Sequence, residues 1–155
     1  MSYNGVHSYS RATGLRQLVA PSVSPYTSAV AADGSVYIAS RSGAGVLPFS
    51  RLEGNIWLDI SGDVRGEANV IEVAADGSLL AAGKLAIGNG PARTRVLRFR
   101  DGIWSNLGSE FWLAGDPTGA STLIRRVAPL GSKRVVVTGT FSGVVGGPAL
   151  SYAAL

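Results

Sequence analysis

The sequence predicts an all-β chain built from about three four-stranded units. Three observations predict it. Val73-Ala74-Ala75-Asp76-Gly77-Ser78-Leu79-Leu80-Ala81-Ala82-Gly83 repeats Val30-Ala31-Ala32-Asp33-Gly34-Ser35-Val36-Tyr37-Ile38-Ala39-Ser40 at an offset of 43 residues, and a looser third copy runs from Val127 to Gly139. Each copy is centred on a turn dipeptide and flanked by segments of strand length. The seven prolines are scattered, and no apolar stripe at helical spacing survives between them.

Each hairpin is expected around Asp33-Gly34 or Asp76-Gly77, where both residue types tolerate positive φ. The third has a β-branched second arm, Val135-Val136-Val137-Thr138. Alanines 31, 32, 39, 74, 75, 81 and 82 suit close approach of neighbouring sheets. A second motif follows each hairpin. Val96-Leu97-Arg98-Phe99-Arg100-Asp101-Gly102-Ile103-Trp104 reads as strand, turn and Trp-bearing strand, and Val46 to Trp57 repeats it with a turn three residues longer. Four strands in roughly 50 residues is the content of a β-propeller blade. The expected division is a single domain, 1–155, with blades over roughly 10–57, 58–104 and 105–155, the last joined by residues 1–9. In that scheme Tyr3 to Ser8 supplies the final strand of the third blade, with His7 in the Trp position. Glu110 to Gly119 reads as an inserted loop.

Composition narrows the function. Charged residues are 15%, against the usual quarter or so, which fits either surface hidden in an assembly or a Ser/Thr/Gly-rich exterior. The net charge is +4, with 12 Arg and 2 Lys. The arginines are dispersed rather than clustered, so nucleic acid is not an expected partner. Cysteine is absent, which excludes disulfides and thiolate metal sites. Neither a secretory signal nor a run long enough to span a bilayer is visible, so membrane insertion is not expected.

Chemistry-bearing motifs are few. The single histidine, His7, would have to serve any Ser-His-Asp group, and it reads better as a diverged strand position. The acids form no recognisable glycosidase pair, and Gly143 to Gly147 lacks the Lys-Ser/Thr of a phosphate loop. No catalytic residue, metal or cofactor is assigned. Trp57 and Trp104 occupy equivalent positions. They are candidate sugar platforms between blades, with packing between sheets as the competing role. Phe111, Trp112 and Leu113, outside the repeat, are the candidate partner contact.

The run Val136 to Ala149, with Gly139-Thr140-Phe141 and Gly146-Gly147, resembles a kelch-like propeller repeat of bacterial surface proteins and phage tail or fibre proteins. Asp101-Gly102-Ile103-Trp104-Ser105-Asn106-Leu107-Gly108 is similar to the second half of that repeat, one residue shorter before the Trp. The first copy departs most, with Ser40 in place of the hairpin-closing glycine. The resemblance implies propeller architecture; three blades are too few to close a ring, so the count and the blade split between the termini point to a ring completed by oligomerisation, with a dimer favoured. The resemblance also implies a non-enzymatic structural or binding module, a phage tail or fibre component. Other virion proteins are its implied partners and the virion its location, or the cytoplasm for a chain that is not phage-encoded. The alternative is a soluble lectin whose glycan lies near Trp57 and Trp104.

Overall fold

The computed structural model describes residues 6–12, 14–17, 25–40, 48–116, 121–130, 134–147 and 153–154. All regular structure among them is strand. The first sheet is β3 (Pro25–Val30), β4 (Val36–Ser40), β5 (Phe49–Glu53) and β6 (Ile56–Asp59), antiparallel and in chain order. The second repeats that layout with β7 (Val64–Val73), β8 (Leu79–Ile87), β9 (Arg93–Arg100) and β10 (Ile103–Asn106). The third contains β12 (Leu123–Leu130), β13 (Arg134–Thr140) and β15 (Ala153–Ala154). Two ribbons complete the chain: β1 (His7–Ser10) with β2 (Gly14–Gln17), and β11 (Phe111–Trp112) with β14 (Gly143–Val144).

The first two hairpins turn identically. The Ala31 and Ala74 carbonyls accept from the Gly34 and Gly77 amides, and Asp33 and Asp76 accept from the amides of Ser35 and Ser78. Only the glycine of each pair has positive φ, 87° at Gly34 and 78° at Gly77. Of the three Asp-Gly pairs only Asp101-Gly102 has positive φ at both positions, as a type I′ turn requires. The expected longer turn before Trp57 is not found. Gly54-Asn55 is also a two-residue turn, and Leu52 pairs with Trp57 as Phe99 pairs with Trp104. Phe49 therefore corresponds to Val96, and the approach to this strand is shorter in the first sheet, 9 positions from Ser40 to Phe49 against 13 from Gly83 to Val96.

The three hairpins share a feature invisible in the residue pattern. The register of each slips by one residue at the same place: between Pro25 and Thr27, Ala68 and Val70, and Ile124 and Arg126. The bulged residues are Tyr26, Asn69 and Arg125. Opposite the second and third bulges stand Gly83 and Gly139. A Cβ on Gly83 would lie 2.1 Å from the Glu67 carbonyl oxygen, and one on Gly139 2.0 Å from that of Leu123. At these two positions the bulge throws one strand onto its partner, and only glycine leaves room. The first hairpin keeps its bulge with Ser40 at that position.

Two apolar layers join the sheets. The first packs Tyr37, Ala39 and Phe49 of the first sheet against Ala68, Ile71, Leu79, Ala81, Leu97 and Trp104 of the second. The second packs Leu80, Ala82 and Val96 of the second sheet against Ile124, Val127 and Val137 of the third, with Phe111, Phe141 and Val144 filling in. Alternation along β8 sends Leu79 and Ala81 one way and Leu80 and Ala82 the other. The middle sheet is thus covered on both faces, and its second strand is apolar almost throughout for that reason.

His7 and Ser8, expected beside the third sheet, pair instead with Gln17 and Arg16 in the β1–β2 ribbon; residues 3–5 of that expected strand lie outside the described residues. The segment read as a loop from Glu110 contains β11, which pairs with β14 across the chain; its last residues, 117–119, lie outside the described ones.

Candidate functional site

Trp104 holds the first two sheets together. Its ring centroid lies 4.5 Å from that of Phe49 and 5.1 Å from that of Phe99. Its indole N–H donates to the Ile60 carbonyl at 2.7 Å, crossing from the second sheet to the end of the first. Only 7% of the residue is exposed. A sugar platform needs an open ring face, and Trp104 is committed to packing. Trp57 holds the same register position in the first sheet and is half-buried. The two indoles share a place in the repeat but not an environment.

The aromatic cluster outside the repeat divides its work. Phe111 meets Phe141 edge to face at 4.9 Å and belongs to the second apolar layer. Trp112, 39% exposed, lies over Gly143, where a Cβ would come within 3.0 Å of the indole nitrogen. Leu113 is half-buried, and its carbonyl accepts from the Asp116 amide. Asp116 then gathers the returning chain: its carboxylate accepts from the amides of Ser121 (2.6 Å) and Thr122 (3.1 Å). Of the three expected contact residues, Trp112 offers the surface.

A polar concavity lies where this ribbon meets the outer end of the second sheet. A cleft of about 380 Å³ is lined by Arg95, Asn106, Gly108, Ser109, Glu110 and Val145. Arg95 bonds the Glu110 carboxylate at 2.6 Å and the Asn106 side-chain oxygen at 3.2 Å. Arg93 approaches Glu110 at 3.9 Å, and the Val145 amide donates to the Glu110 carbonyl. The cleft therefore presents a neutralised guanidinium–carboxylate pair beside an amide and a hydroxyl. Such groups can hydrogen-bond a polar ligand. In the sequence Glu110 reads as the first residue of an inserted loop. Its partner is 15 positions away on β9, and no local pattern announces that meeting.

A second polar cluster surrounds the middle hairpin turn. Arg98 and Arg100, on β9, both reach the Asp76 carboxylate. The Ser78 hydroxyl, then the Ser78 amide, then these two guanidiniums hold the Asp76 carboxyl below its ordinary value. Asp33 is held low by the Ser35 amide and hydroxyl first, with Arg51 contributing less. These carboxylates stabilise turns. Among the described residues, no three His, Cys, Asp or Glu side chains converge as a metal site. No helix among them is long and apolar enough to cross a membrane.

Comparison with protein-family models, with curated proteins and with solved structures returned no match to this chain.

Proposed function

We propose that the chain is a non-enzymatic structural and binding module of propeller-type blades, serving as a component of a phage tail or fibre. One observation carries the reading: three bulged hairpins of the same design stack face to face, each burying one side of the next. Repeats of this kind depend on their neighbours for a core, and their outer surfaces are fitted to assembly. The kelch-like resemblance supplies the virion setting. Trp112 and the surface around the β11–β14 ribbon are the docking element for a neighbouring protein.

The test is incorporation. The chain is co-expressed with the genes that flank its own, particles are purified, and their protein content is measured by mass spectrometry. The reading expects the chain in the particle at a fixed stoichiometry, lost on Trp112→Ala. A chain that stays outside every particle, or that releases reducing sugar from a polysaccharide, would overturn it.

A further inference from the structure

The sheets meet through one recurring contact. The closest inter-sheet approaches run from β7 to β3 and β4, and from β12 to β7 and β8. Through them β7 buries Ala68 and Ile71 against the first sheet, and β12 buries Ile124 and Val127 against the second. These residues are equivalent: Ala68 pairs with Gly83 as Ile124 pairs with Gly139, and Ile71 with Ala81 as Val127 with Val137. The contact has two halves, the leading face of a first strand and the trailing face of the preceding hairpin.

Each half has exposed positions at one end of the stack, although Ile38 and Ser40, equivalent to Ala81 and Gly83, are buried on the leading side of β4. On β3 the leading positions equivalent to Ile71 and Val73 hold Ser28 and Val30. Ser28 is exposed, and Val30 is 66% exposed although Val73 packs on the first apolar layer. On the third hairpin the trailing positions equivalent to Leu80 and Ala82 hold Val136 and Thr138. Thr138 is exposed, beside Ala128 and a Leu130 that is 44% exposed. Charge matches across the two ends. Strands β12 and β13 carry Arg125, Arg126 and Arg134 and no carboxylate. On its leading side the first sheet carries Asp59 and, at the turn, Asp33, while Arg51 and Glu53 pair with each other on the opposite face beside Tyr37. Hairpins stack with turns at the same end, since Ala31 and Val73 share a layer, so Asp33 and Arg134 fall on the same side of such a contact.

We infer that β3 of one copy docks on β12 and β13 of a second copy, head to tail, and that the reverse contact closes a two-copy ring of six sheets. The inference rests on the propeller reading proposed above. Propeller rings hold roughly four to eight blades, and among multiples of three only a pair of these stacks falls in that range. A head-to-tail contact that closes gives a ring rather than a filament.

The mixing of two variants tests this. Val30→Arg spoils the leading face and Ala128→Arg the trailing face, with Thr138→Arg as a second trailing-face variant should Ala128→Arg not fold. Circular dichroism and a cooperative melt establish folding. By light scattering the wild type runs at twice the 15.9 kDa chain mass, and each variant alone runs at the single-chain mass. Mixed in equal amounts, the variants form a particle with one chain of each, read by native mass spectrometry of isotope-labelled protein, because one intact contact remains between them. Variants that stay paired alone, or a mixture that stays monomeric, overturn the head-to-tail contact. A folded monomeric wild type overturns it too, yet leaves incorporation into particles to its own test.

Discussion

The two inter-sheet layers do the same job with different side chains. The first is pinned by Trp104, which fills the space against Phe49 and bonds the Ile60 carbonyl across the gap. The second has no tryptophan. Its aromatic filling comes from Phe111 and Phe141, brought together by the β11–β14 ribbon. The backbone scheme is nearly the same in both, including the bulge and the glycine opposite it. The repeat is therefore conserved in how strands approach and variable in what fills the gap. Packing density can be met by several residue sets, whereas a carbonyl 2 Å or so from a missing Cβ admits one residue.

The largest effects should fall on that shared backbone feature. Gly83→Val and Gly139→Val each drive a Cβ into a carbonyl and are expected to cost about 3 kcal/mol or to prevent folding; urea denaturation measures this. Ser40→Gly, at the equivalent position of the first hairpin, should cost only about 1 kcal/mol. Gly83→Val and Gly139→Val changes that cost no more than Ser40→Gly would contradict the close approach at these bulges.

The fillings come next. Trp104→Ala and Phe141→Ala each remove a buried aromatic and should cost about 3–5 kcal/mol. Trp104→Phe separates the two layers, since it keeps a ring but loses the bond to Ile60, for about 1 kcal/mol. Trp57→Ala, at the half-buried equivalent, should cost less than Trp104→Ala. The reverse order would contradict the pinning role of Trp104.

A smaller effect depends on pH. Asp76 has a folded-state pKa below its ordinary 3.8, so its contribution is fully present above that value. It is lost as pH falls through the lower folded value. Asp76→Asn should therefore destabilise at neutral pH, and the gap between the melting curves should close below the ordinary carboxylate range. A gap unchanged by acid would assign the effect to the turn's shape instead. Smallest of all, Ile103→Ser and Ile56→Ser alter exposed outer-strand residues and should stay within about 0.5 kcal/mol.

Much of this architecture is legible in the chain. Asp33-Gly34 and Asp76-Gly77 locate two hairpins because turns demand particular residues. Trp57 and Trp104 mark equivalent strands because a large side chain recurring at one register position has one packing niche. The offset of 43 residues orders the copies. The illegible parts are those decided at a distance. β11 has two residues, too few for an alternating pattern, and forms because β14 is brought beside it. The cleft depends on Arg95 meeting Glu110, and neither residue type predicts the other. Gly139 reads in the sequence as the glycine that closes a hairpin, while in the fold it is a strand residue set against a bulge.

The central claim is that a three-sheet stack with complementary ends completes itself with a second copy. Light scattering of the purified wild-type chain after size exclusion tests it most directly. The account predicts twice the 15.9 kDa chain mass. A folded particle of single-chain mass at the highest soluble concentration would contradict it.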